Sequence, residues 1–210
     1  MGDDRTRTRL IQAGIVAFAE KGLFGASLRA INVAADAKNT SSILYHFGDR
    51  AGFIKAVIAH IARYGQEDLD AFAAEFAKPA NPLSYELARF VSPLFLIWSR
   101  EPWGPDAVQV LSQVVSSREP EIAGLWQSVM GPGVEADFER IRPLLPALPD
   151  VTIKRRMLYS ALHVIQLLST PGSLEQTAFG NLSFSDQKCA VRDLLDFLEG
   201  GLAAAQPSER

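Results

Sequence analysis

The sequence predicts an all-α fold, and three observations support that prediction. Apolar residues recur at three- and four-residue intervals over most of the chain, as on one face of an α-helix. The alternating pattern typical of half-buried β-strands is absent. Proline-containing segments separate the apolar stretches and mark where helices end. With 210 residues, 48% of them hydrophobic, the chain is long enough to bury a substantial core.

The first 50 residues predict three helices, of which the second and third form a helix-turn-helix. The first helix covers residues 5–21 and ends at Gly22, because glycine commonly terminates helices. Ser27 is the expected N-cap of the second helix, and a turn follows near Asp36-Ala37. The third helix presents small hydrogen-bonding groups. That chemistry suits phosphates and base edges better than it suits packing.

The rest of the chain predicts further amphipathic helices. One long helix is expected from Arg50 to about Lys78, where Pro79 and Pro82 end it. The remaining helical segments lie between proline-containing breaks and cover residues 83–100, 104–117, 119–142, 151–169 and 185–205.

The distribution of charge predicts that one end of the chain meets a polyanion. Residues 1–64 carry a net charge of +4 and residues 65–210 carry −7, within an overall formal charge of −3. The single cysteine, Cys189, excludes an intramolecular disulfide and suits a reducing compartment. No run of 18 apolar residues and no early apolar segment occurs. We therefore expect a cytoplasmic protein that does not enter a membrane.

Two segments resemble the DNA-binding domain of the TetR family of bacterial transcriptional regulators. Residues 13–31 read AGIVAFAEKGLFGASLRAI, and residues 45–50 read YHFGDR. The resemblance covers about residues 5–60, and the later helices fit the family's second domain in number and amphipathic character. It implies a helix-turn-helix DNA-binding domain over residues 1–50 and a helical ligand-binding and dimerisation domain over residues 51–210.

Two departures from the family pattern concern the turn and the third helix. Typical members carry glycine where Asp36 stands, although aspartate can adopt a left-handed conformation. The stretch from Ile31 to Phe47 is one residue longer than usual, and Leu44 occupies a position where tyrosine is typical. The register of the third helix is therefore open by one residue.

The candidate DNA contacts combine the polar third helix with the roles that the resemblance implies. Base reading is expected from residues 39–42, and phosphate contact from Tyr45 and Arg50. Arg50 begins a helix, where a cation opposes the helix dipole, and this favours a role other than stability. The alternative for Tyr45 is an ordinary half-buried aromatic, and for Ser27 a helix cap alone. The full set is Ser27, Arg29, Asn39, Thr40, Ser41, Ser42, Tyr45, His46 and Arg50.

Catalytic and metal-binding patterns are not found in the sequence. The histidines, His46, His60 and His163, have no metal-ligand spacing with other ligating residues, and Cys189 has no nearby histidine. Residues 131–133 are glycine-rich but lack the strand and lysine of a phosphate-binding loop. We therefore expect no enzyme activity, no metal and no cofactor.

The second half of the chain carries aromatic and flexible apolar residues suited to an adaptable pocket. The resemblance implies that such a pocket binds a small effector, and its apolar character favours a hydrophobic or aromatic one. Ordinary core packing is the alternative for each residue. The candidate pocket residues are Phe90, Phe95, Trp98, Trp103, Leu111, Trp126 and Met130.

The last two predicted helices carry apolar stripes that favour a homodimer on a palindromic operator in double-stranded DNA. Burial of both stripes in an internal core is the alternative. We expect a ligand-responsive transcriptional repressor, in which the helix starting at Arg50 transmits the response. The competing hypothesis is a helical small-molecule-binding protein or enzyme whose helix-turn-helix is only structural. DNA affinity that falls steeply with salt would distinguish the regulator from that alternative.

Overall fold

The computed structural model describes residues 2–37, 39, 41–64, 67–170, 172, 174–183 and 187–205. Over these residues the chain is helical and contains no β-strand, so the predicted fold class is confirmed. The helices are α1 Gly2–Lys21, α2 Leu28–Ala34, α3 Ser42–Phe47, α4 Arg50–Tyr64, α5 Leu69–Phe76, α6 Pro82–Arg100, α7 Gly104–Ser116, α8 Pro120–Ile141, α9 Asp150–Ser169 and α10 Gln187–Ala203, with a 3-10 helix Arg142–Leu144.

The prediction of a single long helix from Arg50 to about Lys78 is wrong. Helix α4 ends at Tyr64, and α5 begins at Leu69. Asp68, immediately before α5, has a φ of 61°, a left-handed conformation that no residue inside an α-helix adopts. The apolar pattern continues on both sides of this break, which is why periodicity alone did not reveal it.

The chain forms two compact units. The first contains residues 1–65 and 96–131, and the second contains residues 66–95 and 132–210. Both units are therefore built from segments that are distant in sequence. No helix among the described residues is long and apolar enough to cross a membrane.

In the first unit, α1 packs against α4 and α7. Leu10, Ile15 and Phe18 of α1 are completely buried. A Cβ atom on Gly14 would lie 2.5 Å from the Phe53 ring, so glycine permits the close approach of α1 and α4. On the other side, the side-chain amide of Gln113 in α7 donates to the Phe18 and Ala19 carbonyls at 2.9 and 3.3 Å.

In the second unit, ion pairs link α5, α6 and α8. Arg89 of α6 contacts Asp70 at 2.9 Å and Asp137 at 3.5 Å. Arg140 of α8 contacts Glu86 at 3.1 Å and also pairs with Asp137. Burial raises the pKa of Asp137, and the two arginines oppose that shift. These pairs tie three helices of the unit together.

Candidate nucleic-acid interface

The helix-turn-helix begins at the predicted cap. Ser27 precedes α2, and its hydroxyl oxygen accepts a hydrogen bond from the Ala30 backbone N–H at 3.3 Å. The predicted turn also forms, since Asp36 has a φ of 49°. An aspartate at this position therefore takes the left-handed conformation that glycine adopts more easily.

Asn32 fixes the second helix against the third, a role that the sequence analysis did not identify. Its side chain is only 2% exposed. Nδ2 donates to the Leu28 carbonyl at 3.0 Å, and Oδ1 accepts from the Ile43 backbone N–H at 3.1 Å. The side-chain amide of Asn32 thus links α2 to α3 and accepts from a backbone N–H in the first turn of α3.

The polar residues before and at the start of α3 differ in exposure. Asn39 and Ser41 are exposed, and the Asn39 side-chain oxygen accepts from the Ser41 backbone N–H at 2.9 Å. Ser42 is 7% exposed, and its hydroxyl donates to the Asn39 carbonyl at 2.7 Å. Ser42 is therefore engaged within the protein. Thr40, also a candidate base-reading residue, lies outside the described residues.

Tyr45 is the most exposed of the described candidate contacts on α3. Its relative exposure is 79%, and its ring meets the His46 ring edge-on at a centroid distance of 5.1 Å. His46 is half-buried and lies 6.0 Å from the Phe47 ring. The next exposed side chain on this helix is Leu44, at 53%. A phenol and an aliphatic side chain therefore project from α3.

Arg50 has a structural role that its position at the start of α4 did not indicate. Its guanidinium donates to the Leu23 carbonyl at 2.9 Å and to the Ala26 carbonyl at 2.8 Å. Both acceptors lie in the connection between α1 and α2. The sequence interpretation assigned this cation to phosphate, whereas the observed contacts satisfy backbone groups inside the unit. Its contact with DNA stays a prediction.

Other arginines surround the helix-turn-helix. Arg29 of α2 and Arg5 of α1 are exposed. Arg7 lies over the Phe47 ring, with its guanidinium carbon 5.2 Å from the centroid. Arg9 forms a long ion pair of 3.5 Å with Asp36. These cations account for much of the positive charge at this end of the chain.

The candidate pocket residues are divided between the two units. Phe90 and Phe95 belong to the second unit, where Phe95 stacks on Phe72 at a centroid distance of 5.5 Å. The others belong to the first unit. Of these, Trp103 and Leu111 are buried and the rest are half-buried. The residues of the first unit are Trp98, Trp103, Leu111, Trp126 and Met130.

Buried polar atoms without hydrogen-bond partners also occur in the first unit. His60 and Trp103 have ring centroids 5.4 Å apart, and Tyr64 meets Trp103 edge-on at 5.0 Å. Burial, and then the nearby Arg63 cation, lower the pKa of His60. Unsatisfied buried polar groups are uncommon and mark places where a ligand or water can bind. These atoms are His60 Nε2, Trp98 Nε1, Trp103 Nε1 and Gln113 Oε1.

The last two helices bury most of the apolar stripes that the sequence suggested for dimerisation. Ile153, Met157, Ile165, Leu168, Leu195, Leu198 and Leu202 are all buried within the second unit. Leu158 of the predicted stripe stays exposed, together with three apolar side chains outside it, namely Val151 and Tyr159 on α9 and Phe197 on α10, at 52–65%. The His163 and Phe197 rings lie 6.0 Å apart.

Within the part of the chain that the structure describes, no three His, Cys, Asp or Glu side chains are grouped so that they could hold a metal ion. His163, one of the histidines considered at the sequence level, has its Nδ1 atom 2.9 Å from the Tyr159 carbonyl.

A family model described as the tetracycline repressor-like C-terminal domain matches residues 88–201. No protein among the curated ones matches the sequence.

Several solved structures share the architecture over nearly their whole length. A TetR-family regulator from Marinobacter aquaeolei is 15% identical, with a TM-score of 0.61 and coverage of 95% of this chain and 96% of that one. A protein from Mesorhizobium loti described as a TetR-family regulator is 13% identical, with a TM-score of 0.60 and coverage of 96% of each chain. A transcriptional regulator from a Rhodococcus species is 14% identical, with a TM-score of 0.61 and coverage of 95% and 99%. At these identities the likeness shows a common fold.

Proposed function

Because this chain belongs to the TetR family of transcriptional regulators, we propose that it is a repressor that binds a palindromic operator as a homodimer. A small hydrophobic or aromatic effector releases it from the DNA. The observation that carries the proposal is the exposed Tyr45 on α3, held by a helix-turn-helix whose geometry Asn32 fixes.

The DNA contact is proposed for the exposed side chains of the helix-turn-helix. The Tyr45 hydroxyl donates to a phosphate, and the exposed Arg29 of α2 adds a cation. Asn39 and Ser41 read base edges, since both are exposed immediately before α3. Ser42 is given no base contact, because it is buried and its hydroxyl is engaged by the Asn39 carbonyl.

The homodimer is proposed to form through the exposed apolar residues of α9 and α10. Large apolar side chains on α9 and α10 are exposed to water, namely those of Leu158, Tyr159 and Phe197. The same surface of a second copy of the chain would cover them. A twofold dimer presents two recognition helices to two half-sites, which explains why a palindromic operator is expected.

The effector is proposed to bind in the first unit beside Trp98 and Trp126. Both tryptophans are half-buried, and the indole N–H of Trp98 has no partner within the protein. His60 Nε2 and Gln113 Oε1 are also unsatisfied and offer further hydrogen bonds to a ligand. Leu111 is only 1% exposed and is better assigned to the core of this unit.

The test measures affinity for total genomic DNA and for an operator selected from it, at several salt concentrations. We expect the affinity to fall steeply with salt, because phosphate contacts release counterions. Tyr45→Phe should weaken binding to all sequences by about 1 kcal/mol, roughly fivefold, through loss of one hydrogen bond. Asn39→Ala should instead relax preference at particular base pairs, at a cost of about 1–3 kcal/mol.

The matched control is Tyr85→Phe, which removes a phenol hydroxyl from α6 in the second unit, where it donates to Asp70 at 3.2 Å. It should leave DNA affinity unchanged. DNA affinity without salt dependence would support the structural helix-turn-helix instead. Equal operator affinities with and without the effector would contradict the proposal that the protein responds to an effector.

A further inference from the structure

A broad concavity beside the turn of the helix-turn-helix has a volume of about 440 Å³ and is largely open to solvent. This volume lies within the roughly 300–1,000 Å³ range of small-molecule sites. Residues of α1, the end of α2 with its turn, and the start of α7 with the segment before it line the concavity, and all of them belong to the first unit. It shares only Trp103 with the candidate effector residues.

The floor of this concavity is apolar. Val16 of α1 is 40% exposed, so part of its aliphatic side chain faces water. Ala13, Ala34 and Pro102 extend the apolar surface around it. Water in contact with these side chains would be displaced favourably by an apolar ligand.

Charge in the concavity favours a cation. The carboxylate of Asp106, in the first turn of α7, has no hydrogen-bond or ion-pair partner among the residues that the structure describes. Burial raises the pKa of Asp106, and the neighbouring Glu20 carboxylate raises it further. A bound cation would relieve both effects by neutralising the carboxylate. Among the lining residues that the structure describes, the cation is Arg9, which is paired with Asp36 at 3.5 Å.

A second polar group in the lining is unsatisfied. Trp103 is 7% exposed, and its indole Nε1 has no hydrogen-bond partner. An ammonium group has no acceptor for this donor, so the indole N–H does not select for an amine and serves here as a reporter of binding nearby. The site therefore offers an unpaired carboxylate beside an apolar floor.

We propose that this concavity binds a small hydrophobic amine. Its ammonium group pairs with Asp106, and its apolar body covers Val16 and Pro102. Carboxylates and phosphates are disfavoured, because the unpaired Asp106 would repel them. The site is separate from the DNA contacts and can be tested without DNA, so its failure would leave the proposed regulatory function untouched.

The experiment follows the indole N–H signal of Trp103 in ¹H–¹⁵N spectra of the full chain, assigned with the Trp103→Phe variant. The probe is 2-phenylethylammonium, compared with 2-phenylethanol, which has a similar body without the charge, and with phenylacetate, which has the opposite charge. We expect a saturable shift of the Trp103 signal with the ammonium compound and at least tenfold weaker binding of the other two.

Two variants test whether the Asp106 carboxylate binds the ammonium group and whether the ligand lies in this concavity. Asp106→Asn should weaken binding of 2-phenylethylammonium at least tenfold, whereas Glu121→Gln, which neutralises an exposed carboxylate of the same unit outside the lining, should not. Val16→Lys places a competing ammonium group in the concavity and should abolish binding even if Asp106→Asn fails to fold. Equal affinity for the amine and the alcohol, or no shift at saturating concentrations, would overturn the proposal. Unchanged binding of 2-phenylethylammonium in both Asp106→Asn and Val16→Lys would also overturn the proposal.

Discussion

The two hydrogen bonds of Arg50 predict that this residue stabilises the fold. In Arg50→Gln the Leu23 and Ala26 carbonyls lose donors that lie 2.9 and 2.8 Å away. Hydrogen bonds from charged groups contribute about 1.5–3 kcal/mol each, and two on one part-buried side chain are not fully additive. Removing a cation from the start of α4 returns about 0.3–1 kcal/mol through the helix dipole. The net loss should be about 2–4 kcal/mol.

The measurement is urea unfolding followed by tryptophan fluorescence. All three tryptophans lie in the first unit, so the signal reports the unit that contains Arg50. With a slope near 2 kcal/mol per molar urea, the midpoint should fall by about 1–2 M. The control is Arg118→Gln, an exposed arginine in the same unit, which should leave the midpoint unchanged.

DNA binding decides between the structural and the phosphate-binding roles of Arg50. If the Arg50 guanidinium keeps its hydrogen bonds to the Leu23 and Ala26 carbonyls when the protein is bound to DNA, it contacts no phosphate. The slope of log affinity against log salt should then be the same for Arg50→Gln as for the parent protein. Loss of a phosphate contact would lower the magnitude of that slope by about one. A variant that unfolds at the parent midpoint and shows this smaller slope would refute the structural reasoning and restore the phosphate contact.

Three other predictions concern single side chains. Asn32→Ala should lower the free energy of unfolding by about 1–3 kcal/mol, because the Ile43 N–H is left buried without its acceptor; an unchanged urea midpoint would contradict this. Phe197→Glu should shift the sedimentation coefficient from dimer to monomer, whereas Phe24→Glu, which alters an exposed phenylalanine of the first unit, should not; a dimer in both would place the interface elsewhere. The lowered pKa of His60 means that the unfolded chain takes up a proton near the ordinary value of 6.5, before the folded chain does. Stability should therefore fall as pH drops from about 7 through that value, and His60→Asn should remove this part of the pH dependence; equal dependence in both proteins would contradict it.

The sequence predicted the helices well because their periodicity and the prolines between them are local signals. Helix α7 was expected over residues 104–117 and is found at Gly104–Ser116. The break between α4 and α5 was missed, because amphipathic residues continue on both sides of it. In retrospect, Gly65 was the available signal in the sequence.

The candidate site was less predictable, because the roles of its side chains depend on contacts between distant segments. Arg50 reaches carbonyls 24 and 27 residues away, and Asn32 reaches an N–H 11 residues away. Neither acceptor can be identified from spacing along one helix. The exposure of Tyr45 follows from the direction in which α3 packs, and the sequence had left the register of that helix open by one residue.

The composition of the first unit from residues 1–65 and 96–131 also sets an order of events during synthesis. The Phe18 carbonyl receives its hydrogen bond from Gln113, which is made 95 residues later. At about 5–20 residues per second, a ribosome needs roughly 5–20 s to span that distance. During this interval α7, which packs against one side of α1, has not been made. The face of α1 that α7 covers therefore stays exposed until then, and folding of this unit is completed only after more than half of the chain has been translated.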